Sequence, residues 1–131
     1  MKTILVADDT PSSRELIRDV LENIGFIVLE AADGNEALHQ ARSARPDLIL
    51  LDLHMPHLDG FGVIQELRRS TEFDHTPIVA LTASAMQGDR ERAMSAGFTA
   101  YIAEPIGLST LRSEIVRLLS YVRACTSAAR S

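Results

Sequence analysis

Residues 47–52 read Asp-Leu-Ile-Leu-Leu-Asp (DLILLD), and this short stretch decides the fold. Its four consecutive aliphatic residues leave no polar face, so a strand formed here must be covered on both sides. Such strands lie at the centre of parallel sheets, because crossover connections place helices on both faces of the sheet. The strand predicted at Asp47–Asp52 also ends in a carboxylate, which makes its last residue a candidate for chemistry.

Working outward, similar apolar runs recur along the chain and alternate with segments of helical periodicity. The predicted strands are Thr3–Asp8, Phe26–Ala31, Asp47–Asp52, Pro77–Thr82 and Thr99–Glu104. The predicted helices run over Pro11–Ile24, from the Asp33–Glu36 capping box to about Ala44, from Gly60 to about Arg69, from about Ala85 to Gly97, and through Leu108–Val122. This alternation predicts an α/β fold of the flavodoxin-like type, a doubly wound five-stranded parallel sheet with five helices.

Local signals set several helix ends. Thr10 followed by Pro11 predicts an N-cap and a first helical residue, and Gly25 predicts a C-terminal stop. Gly88 falls inside the predicted fourth helix, where it would cost roughly 1 kcal/mol relative to Ala. We expect one domain over residues 1–123 and a frayed tail over 124–131.

Composition excludes several classes of function. The chain has 131 residues, of which 46% are hydrophobic, and its formal net charge is −5. That charge argues against direct nucleic-acid or anionic-membrane binding, although the adjacent Arg68 and Arg69 leave a local basic patch open. A single cysteine, Cys125, allows no internal disulfide, and no segment has the length of a membrane span. We therefore expect a cytoplasmic protein.

Polar side chains follow four of the five predicted strands. Asp8 and Asp9 end the first strand, Asp52 the third, Thr82 the fourth and Glu104 the fifth. The carboxyl ends of parallel strands meet at one edge of the sheet, where ligands bind in this architecture. Three carboxylates at one edge repel one another unless a cation lies between them, and an incomplete set of oxygen ligands suits Mg²⁺. Asp52 could then form an aspartyl-phosphate.

In order and spacing, these residues resemble the response regulator receiver family over Thr3 to about Val122. The matching segments are Val6–Asp9, Pro46–Asp52, Met55–Gly60, Pro77–Ala83, Ala96–Phe98 and Tyr101–Ile106. The resemblance implies the sheet order 2-1-3-4-5 and a phosphoacceptor domain of a two-component system. We expect a stand-alone, single-domain receiver, while a piece of a hybrid kinase or of a longer regulator stays open. A histidine kinase or histidine phosphotransfer protein would donate the phosphoryl group, and a downstream protein effector would bind the face of helix 4, strand 5 and helix 5. The chain would not be an enzyme beyond its own phosphorylation and dephosphorylation.

The resemblance also implies individual roles. Asp52 would be the phosphoacceptor, Asp9 and Asp8 metal ligands, and His54 a metal ligand through its backbone carbonyl. The side chains of His54 and Ser84 would tune dephosphorylation. Thr82 and Tyr101 would form a switch pair, in which Thr82 moves toward the phosphoryl group and the ring of Tyr101 turns inward. Pro105 would be the cis proline after strand five.

Glu104 departs from the pattern, because the family almost always carries lysine before this proline. The acidic edge then has four potential negative charges and no fixed cation. The cation could bind more tightly, the phosphoryl group could be poorly tolerated, or a basic group from elsewhere could replace the lysine. We expect Asp52 to accept phosphate with less conformational bias than in a lysine-containing relative.

Three other functions and one other metal site stay open. A degenerate receiver acting as a phosphorylation-independent interaction module is favoured by Glu104. An aspartate-nucleophile phosphatase normally has a second acid two residues after its nucleophile, where this chain has His54. A flavin-binding protein would need a phosphate-binding loop after the first strand, and none is present. A transition-metal site at His54 and His57 lacks a third ligand.

Overall fold

The sequence folds into five strands and five helices that alternate along the chain. The computed structural model describes residues 2–82, 87–103 and 107–130, without the side chains of Leu108 and residues 121–130. The strands are β1 (Thr3–Ala7), β2 (Ile27–Ala31), β3 (Leu48–Asp52), β4 (Ile78–Thr82) and β5 (Ala100–Ala103). The helices are α1 (Pro11–Ile24), α2 (Gly34–Ala44), α3 (Gly60–Arg68), α4 (Asp89–Ala96) and α5 (Leu108–Arg130), with a turn of 3-10 helix at Thr71–Phe73.

All neighbouring strands are parallel, in the order β2-β1-β3-β4-β5. This confirms the predicted flavodoxin-like architecture and places β3 at the centre. The aliphatic residues of β3 alternate between the two faces, Leu48 and Leu50 toward one core and Ile49 and Leu51 toward the other. All four are fully buried. Burial of each such side chain contributes roughly 1.5–3 kcal/mol, so this strand anchors both layers.

Two details differ from the sequence expectations. Helix α4 begins at Asp89, and Gly88 is its N-cap with φ +89°, so the glycine supplies a left-handed turn before the helix and does not weaken its interior. The 3-10 turn at Thr71–Phe73 was not predicted, because its one-turn length leaves no periodicity. Helix α5 extends to Arg130.

A half-buried arginine joins four segments on the α3–α4 side of the sheet. The Nε of Arg68 donates to the carbonyl of Gly97 at 3.0 Å, and an Nη donates to Oγ1 of Thr99 at 3.3 Å. The other Nη donates to the carbonyls of Phe73 and Thr76. Burial lowers the pKa of Arg68 from its ordinary value, against the charge of nearby Asp74. We call Arg68 and its four acceptor residues the Arg68 junction.

The junction also settles the basic patch that the sequence left open. Arg69 is 76% exposed and pairs with Glu66, whereas Arg68 is turned into the junction. The two adjacent arginines therefore do not present a joint cationic surface.

Candidate functional site

The carboxyl ends of β1 and β3 meet at the edge of the sheet. These strands are neighbours, with Ala7 paired to Leu51, so the residues that follow them lie side by side. Asp8, Asp9 and Asp52 each offer a carboxylate oxygen, and the three oxygens lie within 4.8 Å of one another. The predicted convergence of these acids is confirmed, and we call them the acidic rim.

Asp8 is the most enclosed member of the acidic rim, at 5% exposure. Its backbone N–H donates to the carbonyl of Ala31 at 3.0 Å, and its Oδ1 accepts from the backbone N–H of Thr10 at 2.9 Å. Thr10 is the N-cap of α1 as predicted, but its own side chain makes no capping hydrogen bond. Asp8 therefore has one oxygen fixed by the start of α1 and the other available to a ligand.

Two arginines lie behind this acid, and no pattern in the sequence predicts their contacts. The Nη1 of Arg14 donates to the backbone carbonyl of Asp8 at 2.7 Å, and its Nε donates to Glu30 at 3.1 Å. Arg18 donates to the second oxygen of Glu30 at 2.9 Å. Burial raises the pKa of Glu30, but the hydrogen bonds from Arg18 and Arg14 outweigh it and the net pKa is lowered. These arginines neutralise Glu30 and brace the Asp8 backbone.

The pKa of Asp52 is raised. Burial raises its pKa most, the backbone N–H of His54 lowers it, and the negative charges of Asp8 and Asp9 raise it further, to about 7. That N–H donates to Oδ1 of Asp52 at 3.0 Å. A carboxylate held close to two others, with one donor, is poised to gain a cation.

The rim fits a hard divalent cation. Two oxygens on opposite sides of an octahedral Mg²⁺ lie about 4.2 Å apart, because each Mg–O bond is about 2.1 Å. The spread of 4.8 Å among the rim oxygens needs only small side-chain rotations to reach that separation. Three carboxylates and few enclosing groups also match the preference of Mg²⁺ for sites in which it keeps several waters.

His54 has a second contact away from Asp52. Its Nε2 lies 3.7 Å from Oδ2 of Asp89, a buried acid in the first turn of α4. His57 has a positive φ of 68° in the loop before α3. Within the described part of the chain, the acidic rim is the one group of three or more potential metal-ligating side chains, so these histidines build no transition-metal site there.

Two glycines allow the loop after Asp52 to pack tightly. A Cβ added at Gly60 would lie 2.6 Å from the backbone oxygen of Asp52, and one added at Gly34 would lie 2.0 Å from the backbone oxygen of Leu58. Neither position tolerates a side chain without movement of the main chain. The loop is therefore held against both the end of β3 and the start of α2.

The predicted switch residues share one face of the sheet. Thr82 ends β4 and is 1% exposed, and Tyr101 lies on β5 beside Ala80, two residues before it. Tyr101 is partly buried against the α3–α4 core and borders an open groove of about 440 Å³ between α4, β5 and α5. Burial raises the pKa of Tyr101 above its ordinary value.

Other predicted site residues lie outside the described residues. These are Ser84, Glu104 and Pro105. Ala103 is the last residue of β5 and pairs with Thr82.

No helix among the described residues has the length and apolar character needed to cross a bilayer.

Comparison with known proteins agrees with this geometry. The family model for the response regulator receiver domain matches residues 4–116. The polar-differentiation response regulator DivK of Brucella anthropi is 39% identical over 107 residues, which are 82% of this chain and 87% of that protein.

Solved structures show the same fold. The chemotaxis protein CheY4 of Vibrio cholerae has a TM-score of 0.84 and 32% identity, with 90% of this chain and 98% of that one covered. The receiver domain of the sensor histidine kinase PA1611 from Pseudomonas aeruginosa has a TM-score of 0.84 and 36% identity, covering 91% of this chain and 98% of that one. That structure holds a magnesium ion coordinated in its active-site cleft.

Proposed function

Because the chain belongs to the response regulator receiver domain family, we propose that Asp52 accepts a phosphoryl group from a phosphohistidine. The donor is a histidine kinase or a histidine phosphotransfer protein. Asp8, Asp9 and Asp52, with the backbone carbonyl of His54, would hold Mg²⁺. The single observation that carries this proposal is the convergence of the three carboxylate oxygens within 4.8 Å at the end of the central strand.

The residues divide the chemistry between them. A carboxylate oxygen of Asp52 forms a bond to phosphorus while the bond to the donor nitrogen breaks, and that nitrogen keeps the electron pair. Bound Mg²⁺ would supply positive charge to phosphoryl oxygens that three carboxylates would otherwise repel. Asp8 is fixed by Thr10 and braced by Arg14, so the chain keeps this acid in place while the phosphoryl group enters. The chain modifies itself and turns over no external substrate.

Output is proposed to follow from the pair of Thr82 and Tyr101. Both lie on the same face of the sheet, one at the rim and the other beside the groove between α4, β5 and α5. A shift of Thr82 toward the phosphoryl group would open space for the Tyr101 ring, which changes the groove that a downstream protein contacts.

The test is phosphorylation by a small donor. Incubation with acetyl phosphate and Mg²⁺ is expected to add one phosphoryl group by intact mass, with none added in EDTA or in Asp52→Asn. Asp19→Asn is the matched control, because Asp19 is 63% exposed on α1 and away from the rim. Modification of Asp52→Asn at the normal rate would contradict the assignment.

A degenerate receiver is the second candidate, favoured by Glu104 in place of the family lysine. A degenerate receiver should bind its partner with the same affinity in three forms: the untreated protein, the Asp52→Asn variant and the protein treated with acetyl phosphate. Absence of any phosphoryl adduct in the experiment above would favour this candidate.

A further inference from the structure

The chain cannot place a lysine of its own at the acidic rim. Lys2 is its only lysine, and it precedes β1, whereas the rim follows the other end of that strand. Six residues separate Lys2 from Asp8, and a strand rises about 3.3 Å per residue, so the two backbones are about 20 Å apart. A lysine side chain spans roughly 6 Å and does not cover that distance.

Eight of the ten arginines whose side chains are described are engaged elsewhere, and Arg90 and Arg112 are not among the charges that act on Asp52. Arg14 and Arg18 pair with Glu30, Arg68 fills its junction, and Arg92 lies 3.9 Å over the ring of Phe61. Four more pair with surface acids: Arg42 and Arg69 with Glu66, Arg45 with Glu72, and Arg117 with Glu114.

No cation compensates the rim from nearby segments either. The side-chain charges that act on Asp52 within the described residues are those of Asp8 and Asp9, both negative. Segments 83–86 and 104–106, which follow β4 and β5, read Ala-Ser-Ala-Met and Glu-Pro-Ile and contain no Lys, Arg or His. Among the described residues, no side chain therefore supplies a lysine-like counter-charge to the rim.

We propose that a cationic side chain of a docking protein, a lysine ammonium or an arginine guanidinium, completes this site in trans. This inference rests on the proposed function. The rim is open to such a group, because Asp9 is exposed and Asp52 is partly exposed at the edge of the sheet. The three carboxylates of the rim provide the charge complementarity, and N–H donors would give charge-assisted hydrogen bonds to the phosphoryl oxygens.

The consequence is conditional phosphorylation. In the reaction with acetyl phosphate, an Asp52 oxygen bonds to phosphorus, the bond from phosphorus to the acetyl oxygen breaks, and acetate leaves with the electron pair. The cation stabilises the charge on the transferred group, so the isolated chain reacts slowly even when Mg²⁺ is saturating. Docking of a protein with a basic side chain at the rim then accelerates transfer.

The experiment measures the rate of phosphorylation by acetyl phosphate at saturating Mg²⁺ and constant ionic strength. Methylammonium and guanidinium serve as probes for the two side chains, and tetramethylammonium, which has no N–H donor, is the matched control. We expect a saturable acceleration with the first two and none with the third. Equal rates in all three salts, or acceleration by a second Mg²⁺ instead, would overturn the proposal.

A substitution provides the internal comparison. Glu104→Lys should raise the rate about tenfold, the value of one charge-assisted hydrogen bond, and should abolish the response to methylammonium. Asp19→Lys makes the same change in net charge at an exposed position on α1 and should do neither. If Glu104→Lys is phosphorylated on Asp52 at an unchanged rate, the proposal of a cation supplied in trans is refuted and the proposed function is not. No phosphorylation of either chain refutes the proposed function.

Discussion

The acidic rim and the Arg68 junction are two charged, partly buried regions that the protein treats in opposite ways. Arg68 is a single charge with acceptors from four segments, so the cost of its burial is offset by hydrogen bonds. Asp52 is one of three like charges, and its Oδ1 accepts a hydrogen bond from the backbone N–H of His54 at 3.0 Å. The Arg68 junction therefore stabilises the fold. Repulsion among the carboxylates of the acidic rim lowers the stability, and a bound cation would offset it.

The largest expected effect is loss of the junction. Arg68→Met keeps most of the aliphatic stem but leaves buried carbonyls of α4 and the 3-10 turn without donors. We expect it to lower the free energy of unfolding by about 3 kcal/mol, measured by urea denaturation. Arg69→Met is the control, since that side chain is 76% exposed. Similar losses in both variants would show that the junction adds nothing.

At the acidic rim, removal of a charge should raise the free energy of unfolding. The pKa of Asp52 rises from 3.8 to about 7 on folding, so its contribution to stability is present below about pH 4 and is lost as pH rises through 7. Asp52→Asn should therefore stabilise the metal-free protein at pH 8 by about 1–2 kcal/mol, after allowance for solvent screening.

The same variant tests the metal. Mg²⁺ should raise the unfolding temperature of the original chain and have little effect on Asp52→Asn, because a ligand stabilises only the state that binds it. Thermal unfolding at pH 5 and pH 8, with and without Mg²⁺, measures both effects. If metal-free Asp52→Asn unfolds at a lower temperature than the original chain at pH 8, the repulsion assigned to the rim carboxylates is contradicted.

A third class of carboxylate sharpens the comparison. Oδ1 of Asp33 accepts from the backbone N–H of Glu36 at 2.8 Å and caps α2, so this negative charge is stabilising where those of the rim are not. Asp33→Ala should cost about 1 kcal/mol and Asp33→Ser much less, measured by urea denaturation. Equal losses in both would argue that the cap is unimportant.

The smallest effect is expected at exposed ion pairs. Arg42 and Glu66 lie 3.7 Å apart, with side chains 55% and 42% exposed. A double-mutant cycle with Arg42→Ala and Glu66→Ala should give a coupling of about 0.5 kcal/mol or less, falling further at high salt. A coupling as large as the effect of Arg68→Met would remove the distinction between buried and exposed charge.

The sequence predicts the rim better than the junction, for a physical reason. Asp8, Asp9 and Asp52 end apolar strands, and a parallel sheet brings strand ends to one edge whatever the details of packing. The junction depends on an arginine at the end of one helix reaching carbonyls up to 29 residues away, and neither periodicity nor charge pattern encodes such a contact.

Errors in the predicted elements have a similar origin. The order of strands and helices follows from the hydrophobic pattern. The predicted start of α4 was wrong because the left-handed conformation of Gly88 depends on tertiary structure. The brace of Arg14 on Asp8 was missed because it depends on how α1 packs against the end of β1 and against Glu30 of β2, which the sequence does not reveal.

The tight contact at Gly60 has a consequence for mutational surveys of this fold. The backbone carbonyl oxygen of Asp52 lies 2.6 Å from where a methyl group would be added at residue 60. Alanine there would displace the main chain of Asp52, so it should mimic the loss of a metal ligand although it alters no functional group. A screen that ranks positions by the reactivity of their side chains would overlook Gly60, whose missing side chain lets Asp52 keep its position.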